Sequence, residues 1–260
     1  MSLVTFEADA QICIITINRP AKRNAVDGPT ARALRGAFER FEADPALRVA
    51  ILTGAGDNFC AGADLSAVGD PALRNELDPE GGGAGPMGPS RMALSKPLIA
   101  ALSGYAVAGG LELALLADLR VMERDAVFGV FCRRWGVPLI DGGTVRLPRI
   151  VGQGRALEII LTGRKVPADE CLAIGLCEYL TPKGGARAKA EELAQEIARF
   201  PQVCVRADRR SAIRSHGMSV RDALIQEWYN GREALVKDGV AGAARFKDGL
   251  GRHGDFGKIR

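Results

Sequence analysis

Gly104-Tyr105-Ala106-Val107-Ala108-Gly109-Gly110-Leu111-Glu112-Leu113-Ala114-Leu115-Leu116-Ala117 is the stretch whose reading decides the fold. Two glycines open a run that is apolar on every side, the pattern of a helix buried all round. Its one acid, Glu112, falls in the first turn. A buried carboxylate is costly to ionise, so its pKa is expected to rise toward neutrality. A carboxyl group so poised suits general acid or base work. The plainer reading is an acid placed for the helix dipole. The glycines would also bring backbone N–H groups close to a ligand at the helix start.

Working outward, Leu98 to Ser103 reads as a strand before this helix and Leu119 to Met122 as one after it. A glycine-rich segment, 136–143, and a helix at about 153–161 follow. Toward the N-terminus, Val4 to Glu7 and Ile12 to Ile17 read as a hairpin pair turning at 8–11. A helix with Leu34, Phe38 and Phe41 on one face opens at Asp27 and Pro29, and Asp44-Pro45 stops it. Val49 to Thr53 is a buried strand. Strands alternating with helices make the class α/β. From about Lys183 the pattern is helical only. Ala188 to Phe200 is closed by Pro201, and Ser219 with Asp222 opens another helix in the manner of a capping box. We therefore divide the chain into an α/β core, 1–200, and a C-terminal helical region, 201–260.

Residues 70–90 hold four prolines and a glycine cluster, and read as a mobile, functional loop within the domain, spanning about 66–92. The loop contains a formal GxGxxG match at 83–88. No strand leads into it and prolines surround it, so it is not read as a dinucleotide site.

The chain has 260 residues, 47% of them hydrophobic and 25% charged, the composition of a globular protein with a large core. No apolar run is long enough to span a bilayer. The N-terminus carries acid without a basic n-region, so no secretory signal is expected. Six cysteines at 13, 60, 132, 171, 177 and 204 show no CxxC spacing, and no metal site or redox motif is expected. A reducing, cytoplasmic compartment fits them. Two histidines, His216 and His253, leave little for a histidine-based triad or metal centre. The net charge of +4 is too mild to argue for nucleic acid but suits a small phosphate-bearing ligand. Arg206, Arg209, Arg210 and Arg214 cluster on one predicted helix without interleaved aromatics, so base stacking is not indicated.

A second small-residue turn, Phe59-Cys60-Ala61-Gly62-Ala63-Asp64-Leu65, follows the strand at 49–53. Its plain reading is a loop with Asp64 as an N-cap. Beside the Gly109 turn it suggests two amide donors converging on one oxygen.

Together with Asn18-Arg19-Pro20, Asn24-Ala25, Lys96-Pro97-Leu98-Ile99-Ala100-Ala101 and Gly142-Gly143-Thr144 with Arg146-Leu147, these segments resemble the crotonase (enoyl-CoA hydratase/isomerase) superfamily over nearly the whole chain. The resemblance implies a spiral of ββα turns, with a C-terminal helical region that builds a homotrimer or a dimer of trimers. It implies an acyl-CoA enzyme acting through an enolate, with the CoA thioester as substrate and no further cofactor. Ala63 and Gly109 match the two N–H donors to the thioester oxygen. Lys22, Arg23, Ala25, Ala61, Gly62, Asp64 and Leu65 match the CoA-binding strip. Glu112 matches one hydratase glutamate, and Cys132 stands where the second would be. Asp141 resembles the aspartate of dienoyl-CoA isomerases and of 4-chlorobenzoyl-CoA dehalogenase, although the dehalogenase histidine has no counterpart. Amides of its glycine turn are expected to keep Asp141 ionised while Glu112 is raised. Enoyl-CoA hydration or isomerisation is the leading activity. Other acyl-CoA chemistry on the same scaffold (hydrolysis, decarboxylation, dehalogenation) and a non-catalytic RNA- or acyl-CoA-binding role are the alternatives. The acyl group should be chosen by the long loop and by the wall from Trp135 to Ile140.

Overall fold

A computed structural model describes residues 2–251 and 253. β1 (Val4–Asp9) and β2 (Ile12–Ile17) form the expected hairpin, with Ala10 in the left-handed region at the turn. α1 (Gly28–Ala43) starts where the sequence places it, and the Asp27 carboxylate accepts from Thr30 N–H. β3 (Val49–Gly54), β4 (Leu98–Leu102), β6 (Leu119–Glu123) and β9 (Tyr179–Thr181) then add to β2 in parallel. The large sheet has the order β1-β2-β3-β4-β6-β9. Its central strands are buried on both faces, which explains their unbroken Val/Ile/Leu/Ala content.

A second, smaller sheet joins β5 (Tyr105–Val107), β7 (Val127–Gly129) and β8 (Val166–Pro167). Single bridges Val26–Ala63 and Cys60–Ala106 extend this layer toward earlier turns of the chain. The chain therefore winds as strand, cross-strand, helix: β4, β5, α2 (Gly109–Leu116), then β6, β7, α3 (Gly143–Val151). This is the ββα spiral expected. β5, three residues long, lies inside what reads by sequence as a glycine turn, and β7, equally short, lies in a stretch to which the sequence assigns no element. The sequence reading also misses α3, because two glycines precede it and Pro148 interrupts its pattern. α4 (Gln153–Thr162) and α5 (Ala168–Ala173) follow.

The main core lies between the sheets and α1 and α2, with Phe38, Phe41, Phe59 and Phe128 fully buried. On the other face of the large sheet, α6 (Ala186–Arg199) lays Ala190, Leu193, Ala194 and Ala198 over Val49, Ile51, Ile99 and Val121. α7 (Gln202–Arg214), α8 (Val220–Ala234), a π-helical turn (Leu235–Gly239) and α9 (Val240–Lys247) complete the described helical end. Ser219 caps α8 by accepting from Asp222 N–H. No helix among the described residues is long and apolar enough to cross a membrane.

The 66–92 segment differs from its expected looseness. Residues 66–83 are mostly exposed, but Met87 and Ser90 are fully buried and bonded into the spiral. The GxGxxG stretch is part of this descent. No strand precedes it, and Gly88 packs so closely on α1 that a Cβ there would lie 2.4 Å from the Ala31 carbonyl oxygen.

Candidate active site

α2 begins in close contact with the Cys60–Ala63 turn. A Cβ on Gly110 would meet the Cys60 carbonyl oxygen at 2.1 Å, and one on Gly62, at φ +98°, would lie 3.0 Å from Gly109 N. Only glycine permits this approach. The two small-residue turns of the sequence are thus brought side by side. Gly109 N–H is one of the orphan donors of a helix start. Neither it nor Ala63 N–H donates to a protein acceptor among the described residues. Ala108, between β5 and α2, has φ 53° and ψ −124°, a strained conformation for a residue with a Cβ.

Both groups line a largely apolar cavity of about 520 Å³ with Leu65, Met87, Phe131, Trp135 and Ile140. The same cavity exposes Glu112, Asp141 and Cys132. Glu112 is 2% exposed. Its Oε1 accepts from Asp141 N–H and Gly143 N–H, each at 2.8 Å. The acid in the first turn of α2 therefore serves the start of α3 rather than its own helix. Oε2 takes no hydrogen bond from the described residues. Burial pushes the Glu112 pKa up to about 7, with the Asp141 charge adding to the rise, while the Gly143 and Asp141 amides and Arg146 pull against it.

Asp141 departs from the sequence expectation. The amides of its turn hold Glu112, and its own carboxylate, which also lines the cavity, is held instead by residues 87–90. Oδ1 accepts from Met87 N–H at 2.9 Å and from the Ser90 hydroxyl, leaving Oδ2 without a partner among the described residues. Burial raises its pKa too, against the Ser90 and Met87 bonds and the charges of Arg91 and Arg146. Arg146 secures the arrangement from behind, donating to the carbonyls of Asp141 at 3.0 Å and Ser90 at 2.7 Å. Met87, Ser90 and Arg146 were not assigned roles from sequence. Met87 and Ser90 meet Asp141, and Arg146 meets Ser90, across fifty or more residues of chain, which no local pattern discloses.

Cys132 sits in a 3₁₀ turn, Phe131–Trp135, and is buried in the cavity wall. Burial and the Glu112 charge raise its pKa, so it presents a neutral thiol. Of the remaining positions singled out from sequence, Ala61 and Leu65 line the cavity, whereas Lys22, Arg23, Ala25, Gly62 and Asp64 lie outside its lining. Asp64 is tied to Arg19 at 3.1 Å and caps the turn at Ser66. Burial raises its pKa, but the Ser66 and Arg19 bonds outweigh this and hold it below the usual carboxylate range. Arg23 lies over the Tyr105 ring at 5.6 Å. No group of three or more potential metal ligands occurs among the described residues.

A ββα spiral enclosing an apolar cavity, with a buried carboxylate beside two small-residue turns, has the architecture of the crotonase fold. Residues 7–232 match the family model described as enoyl-CoA hydratase/isomerase, and the chain belongs to that family. It is similar to enoyl-CoA hydratase EchA19 of Mycobacterium tuberculosis, 37% identical over 86% of this chain and 85% of the relative. It is also similar to carnitinyl-CoA dehydratase of Proteus mirabilis, 38% identical over 87% and 82% of the two chains. Among solved structures, enoyl-CoA hydratase EchA1 of Mycobacterium marinum superposes with a TM-score of 0.88 at 38% identity, covering 95% of this chain and 96% of that one.

Proposed function

We propose that the protein is an acyl-CoA enzyme of the hydratase/isomerase type that works through an enolate, with Glu112 as the proton-transfer group. The observation that carries this reading is the anchoring of Glu112. One oxygen is pinned by two amides, the other is open, and the pKa lies at about 7. A carboxyl group with that pKa holds both protonation states at neutral pH and can accept or return a proton at the acyl α-carbon. The thioester oxygen is taken by Ala63 N–H and Gly109 N–H, where negative charge develops as that proton leaves. Losing one such donor costs about 10²–10³ in rate. Lys22, Arg23, Ala25, Ala61, Gly62, Asp64 and Leu65 form the CoA strip in this reading, and the CoA thioester is substrate, with no separate cofactor.

Hydration or dehydration is the leading reaction, supported by relatives named as hydratase and dehydratase. Cys132 qualifies it. A neutral thiol does not help hold and polarise a water as a second carboxylate would, so hydration of simple short 2-enoyl-CoAs is expected to be slow. Asp141 favours double-bond isomerisation as the second reading. Its free Oδ2 is the other acid in the cavity, and moving a proton between carbons needs no clamped water. Incubation with a panel of enoyl-CoAs in heavy water separates the two. Addition of water to the acyl chain identifies hydration. Deuterium gained with a shifted double bond identifies isomerisation. Failure of any acyl-CoA to exchange or react removes the proposal.

The assembly in this reading is a trimer or a dimer of trimers formed through the C-terminal helices, in the cytoplasm. Leu224, Trp228, Tyr229, Val236 and Val240 are largely exposed in the single chain, and a monomer rarely leaves so much apolar surface uncovered. Light scattering on the purified protein tests it, and a monomeric mass would refute it.

A further inference from the structure

A second cavity of about 520 Å³ opens between α7 and the α2–α3 side of the spiral, and it shares no lining residue with the acyl cavity. Six arginines and His216 line it against one acid, Asp118. That acid is already engaged. Its Oδ2 accepts from Arg209 Nε at 2.8 Å and from Leu98 N–H at 2.8 Å. The remaining positive charge has no matching acid in the cavity lining, and a further carboxylate that acts on Arg206, that of Glu42, lies outside that lining. Arg206 Nε is buried without a hydrogen-bond partner among the described residues, a costly state for a guanidinium N–H. Arg149 and Arg214 carry no hydrogen bond or ion pair from their side chains to other described residues. Leu115, Leu116 and Ile150 supply an apolar wall. Like charges gathered in a recess repel one another unless something of opposite sign enters. Planar guanidinium forks match the oxygens of a phosphate group better than any other common anion-binding side chain.

We propose that this recess is a binding site for a phosphate-bearing small molecule, separate from the acyl cavity, with Arg149, Arg206 and Arg214 as its principal ligating groups. The phosphate could belong to an independent ligand or to the CoA portion of the substrate, and the two are distinguished experimentally. None of the three arginines has been placed in the proton-transfer machinery.

The first measurement is a calorimetric titration of the assembled protein with inorganic pyrophosphate. Saturable binding is expected, weakened at least about tenfold when Arg149, Arg206 and Arg214 are all changed to Gln. Circular dichroism and a melting curve establish that the variant is folded. No saturable binding by the parent, or equal binding by the folded variant, overturns the proposal, and neither result bears on the acyl-CoA reading. Where binding is lost, the second measurement compares the variant's KM for an acyl-CoA with that for the corresponding acyl-pantetheine, which lacks the phosphates. A rise confined to the acyl-CoA assigns the site to the substrate's own phosphates. Unchanged KM values for both assign it to an independent ligand.

Discussion

Glu112 and Asp141 face one cavity, yet two different regions of the molecule hold them. Glu112 is fixed by the junction of α2 and α3, within the spiral itself. Asp141 is fixed by residues 87–90, the buried end of a long glycine- and proline-rich connection. The first support is backbone amide to carboxylate between two helices packed in the core. The second depends on a hydroxyl and an amide delivered by a segment with few elements of its own. The contrast teaches that similar burial can hide unequal rigidity. The Glu112 oxygen is set by the fold, whereas the Asp141 oxygen is set by a segment that can be altered without dismantling the spiral.

The most severe break is Glu112→Gln. The amide oxygen can still accept the two backbone bonds, but the proton-transfer group is gone. Turnover is expected to fall about 10²–10⁴-fold, measured as deuterium exchange into a bound acyl-CoA. An unchanged exchange rate would make the acid structural. In the parent, kcat/KM for proton abstraction should rise with pH through about 7, as Glu112 ionises, and level off above it.

Ser90→Ala touches only the second region. It removes one of the two bonds to Asp141 Oδ1, so the Asp141 pKa should climb further. Turnover should drop by about a hundredfold or less, because a neutral-to-charged hydrogen bond is worth roughly 1.5–3 kcal/mol. The Glu112 limb of the pH profile should move only slightly, downward, as Asp141 loses some of the charge that raises it. A shift of that limb as large as the change in rate would show that the two regions are not independent.

A smaller effect concerns stability. The Glu112 pKa in the fold, about 7, stands above its ordinary 4.5, so the folded protein binds that proton more tightly than the unfolded chain. This contribution is complete below about pH 4.5 and is lost as pH rises through about 7. Glu112→Gln should therefore be the more stable protein at pH 8, by about 1–3 kcal/mol, and nearly equal to the parent at pH 4. Urea unfolding at the two pH values measures it. Ala108→Gly is expected to give the least, a stabilisation of about 1 kcal/mol or less as the positive φ is relieved, partly cancelled by the flexibility of glycine in the unfolded chain. A loss of stability would show that the Ala108 conformation is not strained.

Most of the spiral was legible because its long strands and helices carry strong periodic signals. β2, β3, α1 and α2 stand where hydrophobic runs, the Asp27 cap and the glycine pair place them. The cross-strands β5 and β7 were not, since three residues show no period. α3 was hidden by Gly142-Gly143 and Pro148. In the site, Glu112 was legible as a lone acid on an apolar helix, and Asp141 through the family motif. The direction of the Asp141 side chain was not. It depends on Met87 and Ser90, whose own sequence reads as loose. Glycines there allow a close descent onto α1, and composition alone cannot tell a tight turn from a mobile one.

The one-sided anchoring of Glu112 also has a stereochemical consequence. With Oε1 held by two amides, only Oε2 can meet the substrate, and it does so from a fixed direction. If the thioester oxygen is held by Ala63 and Gly109 N–H, the plane of the enolate is fixed as well. The two hydrogens on the α-carbon then cease to be equivalent. One points toward Oε2 and exchanges, the other points away and stays, and a chemically symmetric CH₂ group becomes handed on entering the cavity.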